Sequence, residues 1–447
     1  MTAVVLLAAL YTSTAQVNGL AAQGSTLWAA TAGGVEQYDL RAGRRARLYT
    51  TEAGLDSNSV QRIWIAGGAV HARTASSECT LASGSFACAP ASPLVAAAPA
   101  AAEIFHGARV TARLAAAGRS LVATAGQGLW SNGQRLTPAG QICGNHLEAL
   151  VEFKGELWAG AFDGGLCVLR ADGGFRPVPA PFRMVNDLRA TPRGLYVAAA
   201  EGLFVSRDGR SFRREGRVRE RGANRLAATG RWLFVTTPAV LYALRLDGRD
   251  VVRRFRHPAG STALQAVAVS GAEVWLASED VGVIRLRRGK FEAFDRASGL
   301  PSSWTVDVAA APGGGVWAAT LRDGAVRLGA DGSVRERGRD RRAWGLRLYD
   351  DGGQVLFGTQ QGLAPVGRTE SDASPPSSSQ PAASGRLDAS WPPLLPGVQV
   401  HALLRTRDGL WVGTEDGLSL MDLCGHGVMV RERRSTQRAP GRPRCER

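Results

Sequence analysis

Lysine is nearly missing from this 447-residue chain. Lys154 and Lys290 are its lysines, in a pool of 54 Lys and Arg set against 39 Asp and Glu. The formal charge of +15 therefore rests on arginine, a bias that reads as genome-wide codon composition as much as selection for a polyanion. The arginines fall in turns, among them Arg207, Arg210, Arg213 and Arg214, and again Arg335, Arg337, Arg339, Arg341 and Arg342, interleaved with Asp and Glu. That pattern predicts a solvated outer surface, and nucleic acid is not expected as a partner.

Long apolar runs are equally scarce. The run Thr2 to Leu10, followed by Tyr11-Thr12-Ser13-Thr14-Ala15-Gln16, is too short to span a bilayer, so no integral membrane segment is expected. It has the length of a signal-peptide hydrophobic region but no basic n-region, and residues 1–16 are read either as a weak or clipped signal peptide or as a leading strand. Amphipathic stretches of helical period are missing, which argues against a helical domain. There is no Gly-rich phosphate loop, nucleophile elbow or His-rich metal motif, and no catalytic residue, metal or cofactor is assigned.

Six cysteines permit disulfides without requiring them. Cys79 and Cys88 flank the turn at Ser83-Gly84, and pairing about that turn sets them opposite each other on adjacent strands, within adjustment of bridging distance. Cys143 and Cys167 are a second candidate pair. Buried free thiols in a cytosolic protein remain the alternative, and zinc is not expected because no histidine sits near a cysteine pair in sequence.

What the chain does have is repetition. An aliphatic residue, usually an aromatic, a few small residues and a glycine recur, as in Leu27-Trp28-Ala29-Ala30-Thr31 with Gly34 and Val316-Trp317-Ala318-Ala319-Thr320 with Gly324. The aromatic slot falls at Trp28, His71, Val122, Trp158, Tyr196, Phe234, Trp275, Trp317, Leu356 and Trp411. Most intervals are close to 40 residues, room for four short strands and their turns. One unit parses as strands at 263–269, 274–278, 282–286 and 291–294, with apolar inner and alternating outer segments. The expected fold is all-β, a β-propeller of four-stranded blades with about ten repeat units over residues 17–423, read as one ring. A seven- or eight-bladed ring with surplus repeats is the alternative, since rings usually hold four to eight blades. Long intervals mark an Ala-rich insertion around Ala89 to Ala102 and a Ser/Pro-rich one at 369–393, expected to be disordered, and residues 424–447 are expected to form a basic, unstructured tail.

The segment Asp408-Gly409-Leu410-Trp411-Val412-Gly413-Thr414-Glu415-Asp416-Gly417-Leu418 resembles the G-x-L-W-x-G-T-x-x-G-L consensus of the two-component regulator propeller repeat family. Gly299-Leu300 before Pro301-Ser302-Ser303, and Gly54-Leu55 before Asp56-Ser57-Asn58, resemble the family's link to an inner strand. The resemblance implies a bacterial propeller of the ligand-sensing type. Members serve as extracytoplasmic sensor segments, some recognising carbohydrate, or stand alone as secreted propellers. With no kinase block or helix-turn-helix pattern, a signalling output is not carried over. Ser206-Arg207-Asp208-Gly209-Arg210-Ser211-Phe212 resembles the Asp-box turn of sialidase-like propellers, one residue short, and is taken as structural.

Propeller ligands gather where inner strands begin. Ten to thirteen residues before the aromatic slot stand His146, Asn186, Asn224, Trp304, Trp344 and His401, the candidate ligand-binding residues; amides and indoles there suit a carbohydrate. Turn chemistry or channel plugging would explain the same residues, and His71 is expected to be a core histidine. Asp163, Glu201, Asp280, Asp323 and Asp416 recur near the turn glycine and are expected to cap turns. The function expected is non-enzymatic recognition or scaffolding of a glycan, peptide or protein, in the periplasm or outside the cell, with a cytoplasmic location as the alternative. A propeller lyase or glycoside hydrolase using rim carboxylates is the competing class.

Overall fold

The computed structural model describes residues 4–92, 103–247, 252–256, 263–311, 313–321, 323–337, 345–350, 355–359, 362–365 and 399–424. Trp344, the 369–393 insertion and the 424–447 tail, save Cys424, lie outside them. Among the described residues the secondary structure is strand, save one 3-10 turn at Thr51–Ala53. The strands form ten antiparallel sheets, nearly all of four neighbours in sequence order. The unit parsed above is observed as Leu264–Ser270, Glu273–Ser278, Val283–Arg287 and Lys290–Phe294.

The repeat slots pack as their chemistry demands. Trp28, Trp158, Tyr196, Trp275, Trp317 and Trp411 are buried between sheets, where a single blade would leave an apolar face in water. Small residues beside them let sheets touch: a Cβ on Gly160 would stand 2.4 Å from Val185 Cγ1, and one on Gly413 would stand 2.9 Å from Leu147 Cβ. His71 is half-buried, stacked on Trp64 at 5.4 Å with Nδ1 3.0 Å from Thr80 Oγ1.

We name each sheet by the first residue of its inner strand. The Leu147, Val185, Leu226, Leu264, Thr305, Gly345 and Val400 sheets pack in that order, and the Val400 sheet returns to the Leu147 sheet. Shared apolar clusters fill most of these seams, for example Trp158 and Val168 with Val185 and Leu188, and Leu147 and Leu157 with Trp411 and Leu418. The other three sheets form an arc with the Val17 sheet in the middle, packed on the Arg62 sheet through Trp28 and Ile63 and on the Ala108 sheet through Leu27 and Leu121. Among the described residues the packing traces a closed cycle of seven sheets and an arc of three, closer to the alternative of a seven-bladed ring with surplus repeats than to one ring of ten. Period alone could not reveal this, because each sheet has the same local pattern whichever neighbour it meets.

The strand Val4–Tyr11 pairs with Gly417–Cys424 and so completes the Val400 sheet from the far end of the chain. The segment after it crosses from the cycle to the arc through a buried polar network. Asn145 Nδ2 donates to the carbonyls of Ser13 and Ala32, and its Oδ1 accepts from Ser13 N. Gln141 Oε1 accepts from Thr14 N, and Thr14 Oγ1 donates to the fully buried Glu36.

Both cysteine pairs are bridged. Cys79 and Cys88 stand directly opposite each other across the hairpin, and Cys143 is joined to Cys167.

Candidate functional site at the mouth of the channel

A β-bulge recurs where the inner strands begin. Register with the second strand skips Asn18, Glu148, Asn186, Gln265, Val306 and His401. An extra residue in one strand bends it and re-aims a side chain. Whereas Gln265 Nε2 donates to Glu279 Oε1 of its own blade, two of these amides tie one sheet to the next, Asn18 Nδ2 donating to Val60 O and Asn186 Nδ2 to Ala223 O. At the start of the following inner strand, Asn224 Nδ2 donates to Leu264 O in the same manner.

At the seam between the Val400 and Leu147 sheets the bulge positions hold His401 and Glu148. Glu148 Oε1 lies 3.0 Å from His146 Nε2 and 3.4 Å from His401 Nδ1, and its Oε2 lies 3.5 Å from Arg225 Nη2. The two imidazole centroids are 4.6 Å apart. Arg225 also donates to the carbonyls of Asn186 and Asn224 at 2.5 and 3.2 Å. Burial pulls the His146 pKa down, but the hydrogen bond and charge of Glu148, with the fields of Asp163 and Glu415, more than offset it and hold the imidazole above its usual value. Burial, then the neighbouring charge of Asp416, raises Glu415 above the usual carboxylate range, against the opposing pull of His146.

Inner strands of the cycle line a cavity of about 320 Å³, which includes Asp187, Arg189, Arg225 and Asp307. Asp187 accepts from the amides of Leu188 and Leu226 at 2.9 and 2.8 Å. On the rim, residues in equivalent places are marked by one recurring bond: Phe162 N donates to His146 O, Ala200 N to Met184 O, and Leu321 N to Trp304 O. Trp304 is 44% exposed and Phe162 is 38% exposed, and both stand on this rim at different points of the cycle.

Of the residues singled out from sequence, His146 and His401 are thus brought together, Asn186 and Asn224 join them through Arg225, Trp304 stands on another blade, and Trp344 lies outside the described residues. Cys79 and Cys88 belong to the arc. Sequence reasoning missed Glu148, Arg225 and Phe162. The signal for Glu148 was its place two residues after a rim position, equivalent to Asn186 and His401. Two of the recurrent acids bond beyond their own turns, Glu201 accepting from Arg183 N and Asp416 from Asn58 N. The Asp-box-like turn is structural: Asp208 Oδ1 accepts from the amides of Ser211 and Arg210 and from Ser206 Oγ, which holds its carboxyl well below the usual range.

The model of the family described as "Two component regulator propeller" matches residues 394–416. No curated protein matches the chain. Among solved structures, the extracellular domain of BT4673 from B. thetaiotaomicron aligns at 13% identity and a TM-score of 0.48, over 91% of this chain and 70% of that one. YCF48 bound to D1 peptide aligns at 13% identity and a TM-score of 0.44, over 60% of this chain and 89% of that one. Residues 394–416 thus match one copy of the two-component regulator propeller repeat, and the described strands build an all-β propeller fold.

Proposed function

We propose that this protein is a non-enzymatic, exported recognition module that binds a glycan at the mouth of the inner-strand channel. The observation that carries the reading is the exposure of the rim aromatics Trp304 and Phe162, with the Phe162 ring 5.3 Å from that of His146 beside Glu148 and His401. An aromatic face covers the apolar face of a sugar, and amides, imidazoles and carboxylates meet its hydroxyls. The competing enzyme needs two carboxylates in contrasting environments. Glu148 is engaged by two imidazoles and a guanidinium, and Asp187 by two backbone amides, which favours binding. Two disulfides suit an oxidising compartment outside the cytoplasm.

The test is calorimetric titration with a panel of oligosaccharides and peptides. A glycan should bind, and Trp304→Ala or Phe162→Ala should weaken it by about tenfold, the equivalent of about 1.4 kcal/mol, with the melting temperature unchanged. Binding of peptides alone would move the ligand class to a protein partner. Turnover of any glycan would overturn the non-enzymatic reading.

A further inference from the structure

We infer that His146, His401 and Glu148 form a binding site for a divalent transition-metal ion of the zinc, cobalt or nickel type, set across the seam that closes the seven-sheet cycle. One nitrogen from each imidazole and one carboxylate oxygen all lie within 4.8 Å of one another. Ligand atoms of a four-coordinate ion held at about 2.0–2.1 Å stand about 3.3 Å apart. The separations from Glu148 Oε1, 3.0 Å to His146 Nε2 and 3.4 Å to His401 Nδ1, straddle that edge length. Two imidazoles and a carboxylate are a donor set suited to borderline metals rather than to calcium or magnesium, which prefer oxygen alone.

The surroundings support the assignment. The equivalent slots at Asn18 and Asn186 hold amides that bond backbone carbonyls, whereas here two imidazoles from adjacent sheets converge on a single carboxylate oxygen. Arg225 reaches the other oxygen, Oε2, at 3.5 Å. Asp163 and Glu415 add negative field at His146, which offsets the charge of Arg225. His401 is 9% exposed, and His146 Nε2 is buried although the rest of that side chain is half-buried, so the donor atoms are shielded from solvent. Three protein ligands leave the fourth position of a tetrahedral ion to a water molecule.

The inference is independent of the glycan reading, since metal can be titrated with no ligand present. Untagged full-length protein, stripped with chelator and dialysed, is titrated with cobalt(II) chloride and followed by visible absorption. The expected result is one equivalent bound with the bands of low-coordinate cobalt, displaced by zinc. His146→Gln and His401→Gln should each weaken binding on the order of tenfold or more, while their metal-free melting temperatures stay at the parent value. Absorption-edge spectroscopy of the zinc-loaded parent counts imidazole ligands without any variant, and two are expected. No uptake at millimolar metal, unchanged affinity in both variants, or an imidazole count other than two would overturn the site.

Discussion

Asp416 holds Asn58 across the boundary between the cycle and the arc. Its Oδ2 accepts from Asn58 N at 3.1 Å and from Ser57 Oγ at 2.7 Å, while Asn58 Nδ2 returns a bond to the Asp416 carbonyl at 3.2 Å. Both residues are buried. Breaking such a linkage leaves buried donors unpaired, so Asp416→Ala should cost about 1–3 kcal/mol in denaturant unfolding. Substituting an exposed acid of similar local sequence, such as Asp172, should cost little.

The same carboxyl makes a pH prediction. Burial raises its pKa above the usual 3.8, partly opposed by the Ser57 and Asn58 bonds, with Asp56 adding to the rise. The folded value exceeds the unfolded one, so folding favours the protonated form. The group's contribution to stability is fully present below 3.8 and is lost as pH rises through the folded value. Asp416→Asn keeps an oxygen acceptor without the charge. Its melting temperature should therefore respond less to pH from 3.8 upward than that of the parent; an equal response would reject Asp416 as the source.

Reduction of the bridges should be measurable one at a time. The Cys79–Cys88 pair spans 9 positions and Cys143–Cys167 spans 24. Loop-closure entropy then gives about 2.7 and about 3.5 kcal/mol respectively. Paired serine substitutions, compared by urea unfolding, should show the larger loss for Cys143 and Cys167.

Close approach between sheets predicts sensitivity at two glycines. Gly160→Ala and Gly413→Ala would drive a methyl against Val185 and Leu147, at a cost of about 1–3 kcal/mol for overpacking. Gly160→Ala combined with Val185→Ala should recover part of that loss if the collision is its cause.

The inter-sheet amides give a smaller, graded effect. Asn186→Ala and Asn224→Ala each remove one bond to a neighbouring strand, worth about 1 kcal/mol. If either amide also meets ligand, its loss will lower affinity beyond the stability change, which calorimetry separates.

Local pattern carried much of this structure. The alternation that set the strands at Leu264–Ser270 through Lys290–Phe294 is short-range, and so is the hairpin geometry that paired Cys79 with Cys88. The contact of His401 with Glu148 is different in kind. It depends on which sheet closes on which, and on a bulge that adds one residue ahead of each pairing register; neither leaves a mark in hydrophobic period. Asn186 and Asn224 were found for their position, yet their amide nitrogens are occupied by Ala223 and Leu264, so chemistry that suits a sugar is partly spent on architecture.

The pairing of Val4–Tyr11 with Gly417–Cys424 also sets a timetable for biosynthesis. Val4–Tyr11 leaves the ribosome well before Gly417–Cys424 and stays without its partner for a delay on the order of 20–80 s at ordinary elongation rates. During that interval its unpaired backbone can join any exposed sheet edge, on its own chain or another. Yield in the cell should then depend on whatever shields this one strand until the ring can shut.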